Sequence, residues 1–74
     1  MKVKVANRVY RMSKKEFQGL LTVAKEQVSF GIYAITKKDY VELRADHCKS
    51  ITQLKELKRQ FKAKGYKIYA NGGD

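Results

Sequence analysis

The sequence predicts an α+β domain: two helices packed on one face of a mainly antiparallel sheet of four or five strands, in the order β(β)αββαβ. Three observations carry that expectation. Apolar and polar residues alternate near the start, middle and end of the chain, as half-buried strands require. Two stretches open with Ser and continue with apolar residues at helical spacing. Pro is absent and the five Gly are scattered, so nothing divides the 74 residues into more than one domain. Residues 1–70 read as that single domain and residues 71–74 as a flexible C-terminal tail.

Residues 2 to 12 alternate. Val3 and Val5 share one face, Lys2 and Lys4 the other. Asn7-Arg8 interrupts the run and Val9-Tyr10-Arg11-Met12 resumes it. Asn tolerates the left-handed backbone of a tight turn, so the segment reads as a hairpin with strands near 2–6 and 9–12. One longer strand is the alternative. Ser13-Lys14-Lys15-Glu16 is a capping box, with Met12 and Phe17 as its hydrophobic staple. Phe17, Leu20, Leu21, Ala24 and Val28 then recur at helical spacing, which predicts a helix near 14–27.

The run from Phe30 to Thr36 is rich in strand formers, with Phe30, Ile32 and Ala34 on one face and Tyr33 and Ile35 on the other. Lys37-Lys38-Asp39 is a polar turn, and Tyr40-Val41-Glu42-Leu43-Arg44 alternates again. Ser50-Ile51-Thr52-Gln53 is a second capping box, with Gln53 in the acidic residue's role. Ile51, Leu54, Leu57 and Phe61 form the apolar stripe of the second helix. Gly65 suits its C-terminal cap, and Lys62 and Lys64 suit its negative dipole end. Tyr66 to Ala70 is the last strand. The sheet is ferredoxin-like if the first eleven residues are one strand, and β-grasp-like at its front if they are two.

Seventeen Lys and Arg against seven Asp and Glu leave a formal charge of +10. A domain this small repels itself at that charge, which points to a polyanionic or acidic partner. No apolar run reaches the ~18 residues of a membrane span, and the N-terminus lacks the apolar stretch of a signal peptide. The expected location is the cytoplasm, with no membrane partner. Cys48 is the only cysteine, so no disulfide can form within the chain. With His47 it falls short of the ligands a zinc site needs, and neither metal nor cofactor is expected.

Two surfaces suggest themselves. If Phe30, Ile32, Val41, Leu43 and Ile68 face the helices, the open sheet face carries Tyr33, Ile35, Tyr40, Glu42, Arg44, Lys67 and Tyr69. Rings interleaved with cations are what single-stranded nucleic acid needs, since bases stack on the rings while cations neutralise phosphates. The RNA-recognition motif uses such a face on a similar fold, but its aromatic signature is not matched by Ser29-Phe30-Gly31-Ile32-Tyr33. Tyr33, Ile35 and Tyr69 read still more readily as ordinary sheet residues, covered by a dimer partner. The second surface is the helix flank of Lys55, Lys58 and Lys62, with Arg59 close by, spaced to meet a phosphate backbone or an acidic protein.

Catalytic signals are missing. There is no Gly-rich phosphate loop, HExxH or CxxC, and the acids are dispersed. Cys48 beside Lys49 and ahead of a helix could have its thiolate favoured, but a nucleophile also needs a base held at hydrogen-bond distance, and adjacent residues of a strand-to-helix loop rarely point together. No catalytic residue is therefore assigned, and the chain is not expected to be an enzyme.

Three stretches form a familiar set: Phe30-Gly31-Ile32-Tyr33-Ala34-Ile35, Ser50-Ile51-Thr52-Gln53-Leu54-Lys55-Glu56-Leu57, and Gly65-Tyr66-Lys67-Ile68-Tyr69-Ala70-Asn71-Gly72. With the opening Val3-Lys4-Val5 and Tyr10-Arg11-Met12-Ser13, the chain resembles small uncharacterised proteins encoded by phages and prophages of Gram-positive bacteria. The resemblance implies a bacterial host cell, where such proteins bind and redirect host machinery. The expected function is therefore binding, to nucleic acid through the cationic helix and the aromatic sheet face. The alternative is a phage-type inhibitor or adaptor on an acidic surface of a host protein such as a nuclease or defence complex. A homodimer through the open sheet face or an edge strand is compatible with either.

Overall fold

A computed structural model describes residues 1–72. Their element order is β1 (Lys2–Val5), β2 (Arg8–Arg11), α1 (Lys14–Gln27), β3 (Gly31–Thr36), β4 (Val41–His47), α2 (Ile51–Ala63) and β5 (Lys67–Asn71). The strands lie in the order β2-β1-β4-β3-β5. Of the tail expected over residues 71–74, Asn71 closes β5 and Gly72 lies against the Phe30 ring. Residues 73 and 74 lie outside the described residues.

The sheet is mixed, which corrects the mainly antiparallel sheet expected from the sequence. β1 runs parallel to β4, while β1–β2, β3–β4 and β3–β5 are antiparallel. The reason is geometric. The crossover through α1 returns the chain parallel to β2. β4 hairpins back from β3 into the gap beside β1, so both β1 and β4 oppose β2 and must be parallel to each other.

The helices also lie on opposite faces, not on one. The crossover β2–α1–β3 and the crossover β4–α2–β5 advance in the same direction across the sheet. They start from strands that point opposite ways. Two right-handed crossovers of that kind place their helices on opposite sides. The core is split accordingly. On the α1 side Phe17, Ala24 and Val28 pack with Val3, Tyr33, Ala34 and Val41. On the α2 side Leu54 and Phe61 pack with Ile32, Ile35 and Cys48. The one-faced two-layer arrangement, ferredoxin-like or β-grasp-like, is replaced by helix, sheet, helix.

β3 serves both cores by breaking its own alternation. Its register slips between Ile32 and Ala34 against both neighbours, so Tyr33 is the residue of a bulge. Tyr33 and Ala34 both turn toward α1, whereas Ile32 and Ile35 turn toward α2. Strict alternation had placed Tyr33 with Ile35. Gly31 permits the close approach at the head of this strand: its φ is 151°, and a Cβ there would overlap the Asp46 carbonyl oxygen.

Local chemistry sets the helix ends. Ser13 Oγ accepts from the Glu16 N–H at 3.2 Å, and Glu16 Oε1 accepts from the Ser13 N–H at 3.3 Å, so the first capping box is reciprocal. The second is not. Ser50 Oγ accepts from the Gln53 N–H, but Gln53 Oε1 accepts from the Lys49 N–H at 2.8 Å instead of that of Ser50. Gly65 follows the α2 cap with φ 84°. Asn71 Nδ2 donates to the carbonyls of Lys25 and Val28, each at 3.1 Å, and so ties β5 to the end of α1.

The opening hairpin forms, with a loop of Ala6 and Asn7 between paired Val5 and Arg8. The left-handed residue is Ala6, at φ 56°, where Asn7 was expected. That backbone is disfavoured for an L-residue by roughly 1–2 kcal/mol. Ala6→Gly is therefore predicted to stabilise the fold by about 0.5–1 kcal/mol. Urea denaturation checks it: the midpoint rises with an unchanged m value.

Candidate nucleic-acid interface

α2 forms because Ser50 caps it and because Leu54, Leu57 and Phe61 give it an apolar stripe for the sheet. Seating that stripe fixes the rest of the helix. Lys55, Lys58 and Lys62 fall on one flank, where with Arg59 and Ala63 they line a shallow depression. Lys58 is half-buried along its stem, and Lys55, Arg59 and Lys62 are exposed. Arg59 is held by Glu56 through two hydrogen bonds of 3.1 and 2.6 Å. Lys55, Lys58 and Lys62 have no acidic partner among the described residues.

The other expected site residues are not brought to this flank. Tyr33 is 8% exposed and belongs to the α1 core. Tyr69 is half-buried against it, with ring centroids 6.2 Å apart. The open face on which both rings were to stack bases is covered by α1. Burial of one such ring contributes about 2–3 kcal/mol, and emptying its site would leave a cavity as well. A stacked base returns only ~1–3 kcal/mol, so neither ring leaves the core to meet one. Lys67 is exposed, with Nζ 5.6 Å from the Tyr69 ring. Ile35, also assigned to that face, is fully buried beneath α2.

Arg44 is engaged elsewhere. Its guanidinium bonds Glu42 at 2.8 Å and Asp46 through two nitrogens, and its centre lies 5.1 Å from the Phe61 ring. Glu42, 9% exposed, also takes Lys4 at 3.5 Å and Lys37 at 3.6 Å. Burial alone would raise the Glu42 carboxyl. The Arg44 hydrogen bond and the charges of Lys37, Arg44 and Lys4 outweigh it and hold the group below its usual range. Sequence reading passed over this cluster. Its signal was there in Glu42-x-Arg44-x-Asp46, since residues two apart share a strand face.

β4 runs on to His47, so Asp46 and His47 are strand residues beyond the alternating run that ends at Arg44. His47 is exposed and Cys48 buried, with Sγ 3.7 Å from the Asp46 carbonyl oxygen. Among the described residues no group of three or more His, Cys, Asp or Glu is placed to hold a metal ion. No helix among them is long and apolar enough to cross a membrane. No family model, curated protein or solved structure matches the chain.

Because Glu42 is depressed when folded, it adds stability above its unfolded value of about 4.3, and that gain is lost as pH falls through the folded value. Glu42→Gln is expected to cost about 1–2 kcal/mol at neutral pH. The gap from wild type should close in acid. Paired thermal melts from pH 7 to about pH 3 check this.

Proposed function

We propose that this chain is a non-enzymatic basic binding protein that holds nucleic acid by its phosphate backbone along the Lys55, Lys58 and Lys62 flank of α2. The observation that carries the reading is the division among the cations. Arg44 and Arg59 pair with acids of the chain itself, whereas Lys55, Lys58 and Lys62 have no acidic partner among the described residues and, unlike the other unpaired cations, together line one depression on α2. From Lys55 to Lys62 the helix rises ~10 Å, about three base-pair steps of duplex. Phosphate contacts of this sort position a protein without reading sequence.

The contact is made to the backbone and not by stacking, because Tyr33 is buried in the α1 core and Tyr69 is half-buried against it. Binding without chemistry is supported by Cys48, whose thiol is buried against the Asp46 carbonyl. The resemblance to phage and prophage proteins supports a reading in which this activity operates in the cytoplasm of a bacterial host.

Fluorescence anisotropy against a short duplex and its single strand, over a salt series, tests the reading. Three neutralised phosphates predict a log K against log salt slope of about −3 on duplex. Lys58→Ala with Lys62→Ala should flatten that slope by about two and weaken binding to every sequence alike. Duplex should bind at least as well as single strand. No binding near 50 mM salt, or a clear preference for single strand, overturns it. If oligonucleotides fail and a nuclease-treated pull-down retains one acidic host protein, the inhibitor or adaptor reading takes its place.

A further inference from the structure

We propose that the free edge of β2 is a docking site for an extended acidic segment of another polypeptide, which joins the sheet as a further strand. The site stands apart from the α2 flank and shares no residue with it.

The backbone comes first. In an antiparallel ladder, hydrogen-bonded pairs alternate with pairs whose N–H and C=O point outward. The two-residue loop makes Val5 and Arg8 a bonded pair. At the other end the Met12 N–H donates to the Met1 carbonyl at 2.9 Å. Between them Val3 and Tyr10 are the bonded pair, so Val9 and Arg11 turn their N–H and C=O away from β1 toward the open edge. β2 is the last strand of the sheet on that side.

The side chains agree. Every residue of β2 is exposed, including Val9 at 54% and Tyr10 at 45%. α1 packs over β3 and β4 and leaves a groove beside Tyr10, lined by Val5, Met12 and Leu20 together with Arg11 and the single acid Glu16. This apolar ground lies next to unpaired backbone, which is the combination that strand addition uses.

Charge decides the occupant. Arg8 and Arg11 close the two ends of β2, and neither has an ion pair among the described residues. A cationic edge on a chain of +10 repels a second copy of itself. It attracts an acidic strand. Residues opposite Arg8 and Arg11 would be acidic, and those opposite Val9 and Tyr10 apolar. The partner segment therefore reads acidic, apolar, apolar, acidic.

The test is an NMR titration of isotope-labelled protein with a synthetic peptide carrying Asp-Val-Tyr-Glu, against a control with Lys in place of both acids. The acidic peptide alone should move the Val9 and Arg11 amides, with a Kd of roughly 10–100 μM. Lys58→Ala with Lys62→Ala should leave that affinity unchanged, which separates this site from the α2 flank. Val9→Pro removes an outward N–H without breaking the β1–β2 ladder and should weaken binding about tenfold or more. Arg8→Glu with Arg11→Glu should lose the acidic peptide and gain the Lys control, which decides the matter should the Pro variant fold poorly. Shifts confined to α2, or no shift at about 1 mM peptide, would overturn the proposal.

Discussion

A strand that is buried on both faces constrains everything else in this molecule. β3 lies between β4 and β5 and under both helices, and Ile32, Ala34 and Ile35 have no solvent exposure. A regular strand of six residues would send alternate side chains to each side. The bulge at Tyr33 changes that division, giving Tyr33 and Ala34 to one core and Ile32 and Ile35 to the other. Each large aliphatic so buried contributes about 1.5–3 kcal/mol, and a chain this short has few of them. Neither core can be opened for binding without losing much of the total.

Both proposed binding sites accordingly lie outside the two cores. Tyr33 and Tyr69 are structural because α1 covers their face. The outer flank of α2 and the β2 edge lie outside the cores, and both are cationic. The positive charge is sorted as well as abundant. Lys4, Lys37 and Arg44 converge on Glu42, where they hold β1, β4 and the β3–β4 turn together. Arg44 in addition lies over Phe61, so an ion pair and a helix contact share one side chain. Lys55, Lys58 and Lys62 take no part in such pairs among the described residues, which is why an anionic partner is assigned to them.

Local features were legible in the chain. Ser13 with Glu16 marked the start of α1, Ser50 marked that of α2, and Gly65 marked its end, because capping depends on residues three or four apart. The cationic flank of α2 was legible for the same reason. Non-local features were not. Which face each helix covers follows from strand order, and no single segment encodes that. The bulge at Tyr33 is a compromise between two cores, invisible to period-two counting. Ala6 takes the left-handed position though Asn7 suits it better, since the Val5–Arg8 pairing puts Ala6 first in the loop. The failure of the aromatic face came from the helix assignment, not from the residues named.

The most direct measurement is a side-chain NOE experiment on the free protein. The Tyr33 ring should show contacts to Phe17 and Ala24 of α1, and Ile35 should show contacts to Leu54 and Phe61 of α2, with no sharing between the two sets. Contacts from both helices to Ile35, with a Tyr33 ring in contact with neither, would restore the open aromatic face and contradict the account.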